Sequence, residues 1–253
     1  MRMLFMGRKQ VGSQCLQWAH EFGFDVVGVL TDSHLSGSPT AATAKRLNIP
    51  VMTLEQVQSR ISSNEIEFEI GVSVVYWRII RHPLLNFPGL GIINFHPAPL
   101  PEYKGTAGYN LAILNSLDQW SVTAHYVDQN IDTGGIIDSF DFSIDPVEET
   151  AQSLERASMA FMFSLFKKTM RRAFQEGKLA AKENHGGEYT SRREMENLKQ
   201  LKETDDWDRK IRAFWFPPYT GAYIERHGRR YTVVNDWILK RLQPPGQTSL
   251  HDS

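Results

Sequence analysis

Hydrophobic residues fall into short apolar runs separated by longer mixed stretches, and the two alternate along most of the chain. MLFMG ends at Gly7, QVGSQCLQWAHEFG reads as a helix closed by Gly23, and DVVGVLTD is a second apolar run, which together predict one βαβ unit. PTAATAKRLN (helix), IPVM (strand), TLEQVQSRI (helix), FEIGVSVV (buried strand) and GIINFH (strand) continue the pattern. Two further strands, SVTAHYVD and IIDSFDFS, flank QNIDTGG. A long helix is expected from Glu148 to Gly177, with acids at its start, Lys167, Lys168, Arg171 and Arg172 near its end, and Leu154, Phe161 and Leu165 as its packing face. Such alternation predicts an α/β fold, a mostly parallel twisted sheet with helices on both faces.

After Gly177 the composition turns polar and charged, and then aromatic in IRAFWFPPYTGAYIERHGRRYTVV, where two strands are expected about a turn at His227 and Gly228. A boundary near residue 185 would give a larger unit, 1–185, and a small β-containing unit, 186–253, whose tail from Pro244 is expected to fray. No internal repeat or low-complexity tract interrupts the pattern.

Composition narrows the function classes. The 253 residues are 41% hydrophobic and 23% charged, enough for a sizeable core, and the formal net charge of -1 offers no broad basic field for nucleic acid. The single cysteine, Cys15, excludes an intramolecular disulfide framework and is expected to be a buried small hydrophobe. No apolar run approaches the roughly 18 residues that span a bilayer, and the N-terminus lacks the features of a signal peptide. These features point to a cytoplasmic protein that binds neither membrane nor nucleic acid.

The stretch INFHPAPLPEYKG carries the first candidate chemistry. Strand side chains alternate, so Asn94 and His96 share one face while Ile93 and Phe95 share the other. Pro97, Pro99 and Pro101 force the chain out of the sheet, leaving the polar pair at the strand's C-terminal end, where open α/β sheets bind ligands. Asp132, in the next-but-one loop, can return over the same edge to orient His96. The set lacks a nucleophilic Ser or Cys, which leaves direct attack of an external amine on a bound carbonyl donor: Asn94 on the oxyanion, His96 relaying the proton, Asp132 holding His96. A structural polar cluster fits these residues equally well.

Other residues are less specific. GRKQVG follows a strand and opens a helix, so Arg8 and Lys9 stand either in a tight turn or beside a phosphate; it matches neither a P-loop nor a dinucleotide motif. The histidines show no metal spacing, no zinc site is expected, and His125 is read as a satisfied core residue. Tyr103 and Lys104 project from a turn stiffened by proline, a suitable place for a cation beside a diphosphate.

INFHPAPLPEYKG together with VTAHYVDQNIDTGGII resembles the 10-formyltetrahydrofolate-dependent formyltransferases over roughly residues 1–180. The resemblance implies a Rossmann-like formyltransferase fold, catalytic Asn94, His96 and Asp132, and N10-formyltetrahydrofolate as donor, with no metal. It further implies that VVYWRII is the folate-binding stretch, with the backbone around Trp77, Arg78 and Ile79 at the pterin edge and the loop near Asp132 to Gly135, Gly134 included, closing over it. HPAPLPEYKGTAGYN and IRAFWFPPYTGAYI look most like the nucleotide-sugar N-formyltransferases, which implies a dTDP- or GDP-linked amino-dideoxy sugar such as GDP-perosamine or dTDP-4-amino-4,6-dideoxyglucose, and a place in O-antigen or other surface-glycan synthesis. Arg8, Lys9, Tyr103 and Lys104 would then bind that substrate. A methionyl-tRNA formyltransferase and a non-catalytic folate-binding protein are the alternatives. FWFPPY offers a face for a homodimer as readily as for the chain's own core.

Overall fold

The structure is a computed structural model that describes residues 1–106 and 108–242, so the tail from Pro244 lies outside the described residues. β1 (Arg2–Gly7) passes through Arg8 into α1 (Lys9–Phe22), which Gly23 closes in a left-handed conformation, and β2 (Asp25–Leu30) returns parallel to β1. α2 (Pro39–Arg46) begins on Ser38, whose hydroxyl accepts from the Ala41 N–H, and α3 (Leu54–Ser62) on a capping box between Thr53 and Gln56. β3 (Ile70–Val74), β4 (Ile92–His96), the short β5 (Tyr103–Gly105) and α4 (Gly108–Leu114) follow. The antiparallel pair β6 (Gln119–Tyr126) and β7 (Ile136–Ser143) then leads to α5 (Ala151–Glu176).

The central sheet has the order β2-β1-β3-β4-β6-β7, with its first four strands parallel and its last two antiparallel, as the alternation predicts. Both faces are buried. On β1, Met3 and Phe5 join a core with Phe95, Trp120 and Phe166, while Leu4 and Met6 join another with Val57, Leu84 and Ile92. Asn94 and His96 share the face of Ile92, at the end of β4.

Two elements differ from expectation. IPVM forms only a bridge of Val51 to Val29: the Val29 N–H donates to Pro50 O and the Met52 N–H to Val29 O, and Pro50 has no N–H with which to extend the ladder. The long helix begins at Ala151, not Glu148. Thr150 and Ser153 cap it reciprocally, while Asp145 accepts the Val147 and Glu148 N–H groups and holds Glu148 in the preceding turn. Its Leu154 and Leu165 are fully buried, and Phe161 stacks on Phe142 at 4.2 Å.

Beyond α5 the chain runs through β8 (Glu188–Thr190), α6 (Arg192–Leu198), α7 (Trp207–Phe214), a hairpin of β9 (Tyr223–Arg226) and β10 (Arg229–Thr232), and α8 (Asp236–Arg241). β8 pairs with β5, and Leu201, Ile211, Phe214 and Ile238 form a third core with Ile113 of α4 and Ala151 of α5. His227 and Gly228 form the hairpin turn, both at positive φ. Among the described residues no helix is long and apolar enough to cross a membrane.

Candidate active site

β1 has β2 on one side and β3 on the other, so the loops leaving β1 and β3 turn apart and open a crevice at the C-terminal edge of the sheet. A cavity of about 910 Å³ occupies it. Arg8 and Lys9 border it after β1, Val75 to Ile80 after β3, Asn94 and His96 form its floor on β4, and Tyr189, Arg192, Phe216 and Tyr219 close the far side.

The proline turn after His96 is tied to β6. Thr123 Oγ1 donates to Ala98 O at 2.8 Å and Trp120 Nε1 donates to Pro97 O at 3.1 Å. In the ladder Asn94 stands opposite His125. Asp132 enters from the β6–β7 loop, where Oδ2 accepts the Gly105 N–H at 2.9 Å. That oxygen lies 3.5 Å from His96 Nδ1, and Oδ1 lies 3.6 Å from His125 Nε2. Gly105 is required here: its φ is 80°, and a Cβ would lie 2.5 Å from the Tyr189 ring.

Hydrogen-bond partners assign the tautomers. His96 Nε2 is 2.8 Å from Tyr103 O, a pure acceptor, so Nε2 carries the hydrogen and the neutral ring keeps its Nδ1 lone pair toward Asp132. His125 Nδ1 is 2.7 Å from Tyr126 O and carries its hydrogen there, so its Nε2 accepts from Asn94 Nδ2 at 3.0 Å. The second N–H of Asn94 has no partner among these groups.

Burial pushes the His96 pKa below the usual imidazole value, reinforced by His125 and opposed by Asp132 and by the bond to Tyr103 O. For Asp132, burial alone would raise the pKa, but positive charge on His96, the contact with His125 and the Gly105 N–H together bring it down to about 2. At neutral pH the site therefore pairs an ionised carboxylate with a neutral imidazole.

The expected donor stretch has suitable features. Trp77 and Ile79 are exposed at the cavity wall, and among the described residues no intrachain hydrogen bond engages the backbone of Trp77, Arg78 or Ile79. Val75, a β-branched residue at φ 47°, redirects the chain into this segment, and Arg8 Nε donates to Val75 O at 2.8 Å. Arg78 itself pairs with Glu55 at 2.7 Å. These side chains and open backbone groups suit a flat, hydrogen-bonding heterocycle.

Other placements need correction. Lys104 is buried and donates to Gly186 O at 2.6 Å, away from the cavity lining, because pairing of β5 with β8 turns it under the segment at Gly186. The Tyr103 side chain packs on Trp120 at 5.2 Å, and its carbonyl, not its ring, reaches the site. Gly134 lies beneath the Asp132 loop, where a Cβ would come 1.9 Å from Tyr126 O. Lys9 keeps its place on the cavity border, where it pairs with Glu155 and lies over the Phe216 ring. His125 is buried and satisfied, as expected of a core residue, and it also belongs to the polar cluster through its register opposite Asn94. Asn184 and Arg192 come from segments without a motif, so the sequence offered no sign of them. Phe214 is buried in the third core and Phe216 packs against it, and both border the cavity together with Tyr219.

The formyl transferase family model matches residues 1–167, the span that carries Asn94, His96 and Asp132. The chain belongs to the formyl transferase family. This formyltransferase is 26% identical over 255 residues to the methionyl-tRNA formyltransferase of Clostridioides difficile (strain 630), covering 95% of this chain and 79% of that protein. It superposes with a TM-score of 0.73, at 24% identity, on an N-formyltransferase from Helicobacter canadensis in complex with folinic acid and dTDP-3-aminofucose, covering 90% of this chain and 85% of that one. WlaRD, a sugar 3N-formyl transferase solved in the presence of dTDP and 5-N-formyl-THF, gives a TM-score of 0.73 at 25% identity, with 91% and 84% of the two chains covered.

Proposed function

We propose that this formyltransferase moves a formyl group from N10-formyltetrahydrofolate to the primary amine of a nucleotide-linked amino-dideoxy sugar, a dTDP- or GDP-linked 3- or 4-amino sugar, in the synthesis of O-antigen or another surface glycan. The carrying observation is the convergence of Asn94, His96 and Asp132 on the floor of a cavity with an open-backbone aromatic wall on one side and a chamber closed by the C-terminal segment on the other. Residues 1–185 would supply the chemistry and 186–253 the acceptor wall.

The chemistry follows from the tautomers. An amine nitrogen attacks the formyl carbon, and the free N–H of Asn94 donates to the oxygen as negative charge develops there. The amine proton passes to His96 Nδ1, where ionised Asp132 stabilises the imidazolium. The carbon–N10 bond breaks, and His96 returns the proton to N10. Cys15 is buried in the core, so no thiol acyl intermediate is available at this floor.

A sugar acceptor is favoured over methionyl-tRNA by the cations around the cavity. Lys9, Arg78 and Lys199 are each paired with a carboxylate, which leaves Arg8 and Arg192 for phosphate, enough for a diphosphate and few for a polyanion. The test is incubation with N10-formyltetrahydrofolate and a panel of nucleotide amino sugars, with methionyl-tRNA in parallel, read by mass spectrometry. Faster formylation of methionyl-tRNA than of any sugar would reverse the acceptor assignment.

A further inference from the structure

We propose that Asn184 is a positioning residue for the catalytic carboxylate, its side-chain amide holding the strained turn that aims Asp132 at His96. The kinetic part of this inference rests on the proposed formyl transfer. Asn184 Nδ2 donates to Asp132 O at 3.0 Å and to Gly134 O at 2.9 Å, spanning the turn with both of its N–H groups. Among the described residues no other donor reaches either carbonyl. Asp132 has φ 54°, in the left-handed region that L residues leave readily when released. The loop's other ties are the Gly105 N–H on Asp132 Oδ2 at 2.9 Å, which holds the side chain but not the turn's carbonyls, and an internal turn in which Asp128 Oδ1 accepts from the Asn130 N–H at 3.0 Å and from Thr133 Oγ1 at 2.6 Å.

Asn184 is itself fixed. Tyr126 Oη bonds both the N–H and the carbonyl of Leu179, and Lys182 exchanges two backbone hydrogen bonds with Ile136. The segment 179–184 is thus a strap anchored on β6 and β7, and it lies beyond residues 1–167, which the family model matches. Asn184 is 5% exposed, and its Oδ1 is buried without a partner. What ties the strap to the catalytic loop is the pair of bonds that this buried amide makes to the Asp132 and Gly134 carbonyls.

Three groups face His96: Asp132 from the loop, His125 from β6 and the Tyr103 carbonyl from β5. If Asp132 withdraws, burial and His125 remain to disfavour the charged ring. The test compares the full chain with Asn184→Ala and the milder Asn184→Ser. The His96 titration is followed by nitrogen-15 NMR without substrates, and kcat is measured against pH. Expected in Asn184→Ala are a kcat loss of at least about 10-fold, a donor KM within about twofold of the parent, and a shift of both the His96 titration and the acid limb of kcat to lower pH. Asn184→Ser should fall between, which keeps the test decisive if the alanine variant does not fold. An unchanged His96 titration, or full kcat, in a folded variant would overturn the proposal. A parent protein that formylates no amine would instead refute the proposed function, leaving the NMR result to judge Asn184.

Discussion

His96 Nδ1 stands 3.5 Å from Asp132 Oδ2, with the two side chains only 8% and 12% exposed. Because Nε2 of the same ring is committed to Tyr103 O, Nδ1 is the only position that can gain a proton, and the carboxylate waits beside it. The Tyr103 carbonyl fixes the ring's orientation, and the buried charge opposes the burial that lowers its basicity.

Replacing either member should leave the fold and remove the chemistry. Proton transfer and oxyanion stabilisation contribute roughly 10² or more each, so His96→Ala and Asp132→Asn should each lower kcat by about that factor or more, with far-UV circular dichroism unchanged. Asp132→Asn should also move the acid limb of kcat to lower pH, since it removes the charge that favours protonated His96. A limb moving upward would contradict this arrangement.

Stability should decline on acidification, in two stages of the same sign. His96 has a folded pKa below its unfolded value, so its contribution is complete above the ordinary imidazole range and is lost as pH falls through that range toward the folded value. Asp132, with a folded pKa of about 2, contributes above the ordinary carboxylate range and loses that contribution as pH falls toward 2. Melting curves between neutral and mildly acidic pH should show a smaller drop in Tm for His96→Gln than for the parent chain. Equal drops would assign the first stage to other groups.

Lys104 and Arg192 should behave in opposite ways. Lys104 is buried against Gly186 O, so Lys104→Met should lower Tm while leaving the KM for the nucleotide sugar near its original value. Arg192 borders the cavity on α6 and has no ion-pair partner among the described residues, so Arg192→Ala should raise that KM several-fold, more at low salt than at high, with kcat little changed. Tm and steady-state kinetics on the two variants separate these roles.

Gly105→Ala is expected to damage the site twice. The substitution places a side chain at φ 80° against the Tyr189 ring and displaces the N–H that holds Asp132. A stability loss of about 1–3 kcal/mol, together with a fall in kcat larger than the unfolded fraction explains, should be seen by denaturation and kinetics on one preparation.

Much of the fold was legible because parallel strands buried on both faces leave unbroken apolar runs, as MLFMG and FEIGVSVV do. The pair proposed as catalytic was legible for a related reason: Asn94 and His96 are two polar residues at strand spacing in such a run, with proline directly after them. What could not be read was contact between distant segments. The β5–β8 pairing that buries Lys104 joins residues with no shared pattern, and Asn184 reaches Asp132 from a strap without periodicity. His125 is the satisfied core residue expected, but alternation marks it as inward-facing without saying that Asn94 lies opposite, so its place in the polar cluster could not be read. IPVM failed as a strand because an apolar run at a sheet edge also needs N–H groups to pair, and Pro50 has none.

The central claim is direct transfer of the formyl group between two bound molecules, and carbon-13 label in that group tests it most directly. With labelled N10-formyltetrahydrofolate and a nucleotide-linked amino sugar, the label should leave the folate and appear as a formamide on the sugar nitrogen, at a rate roughly 10²-fold or more lower in Asp132→Asn. Label that stays on folate, is released as formate, or passes at the same rate in Asp132→Asn would contradict the account.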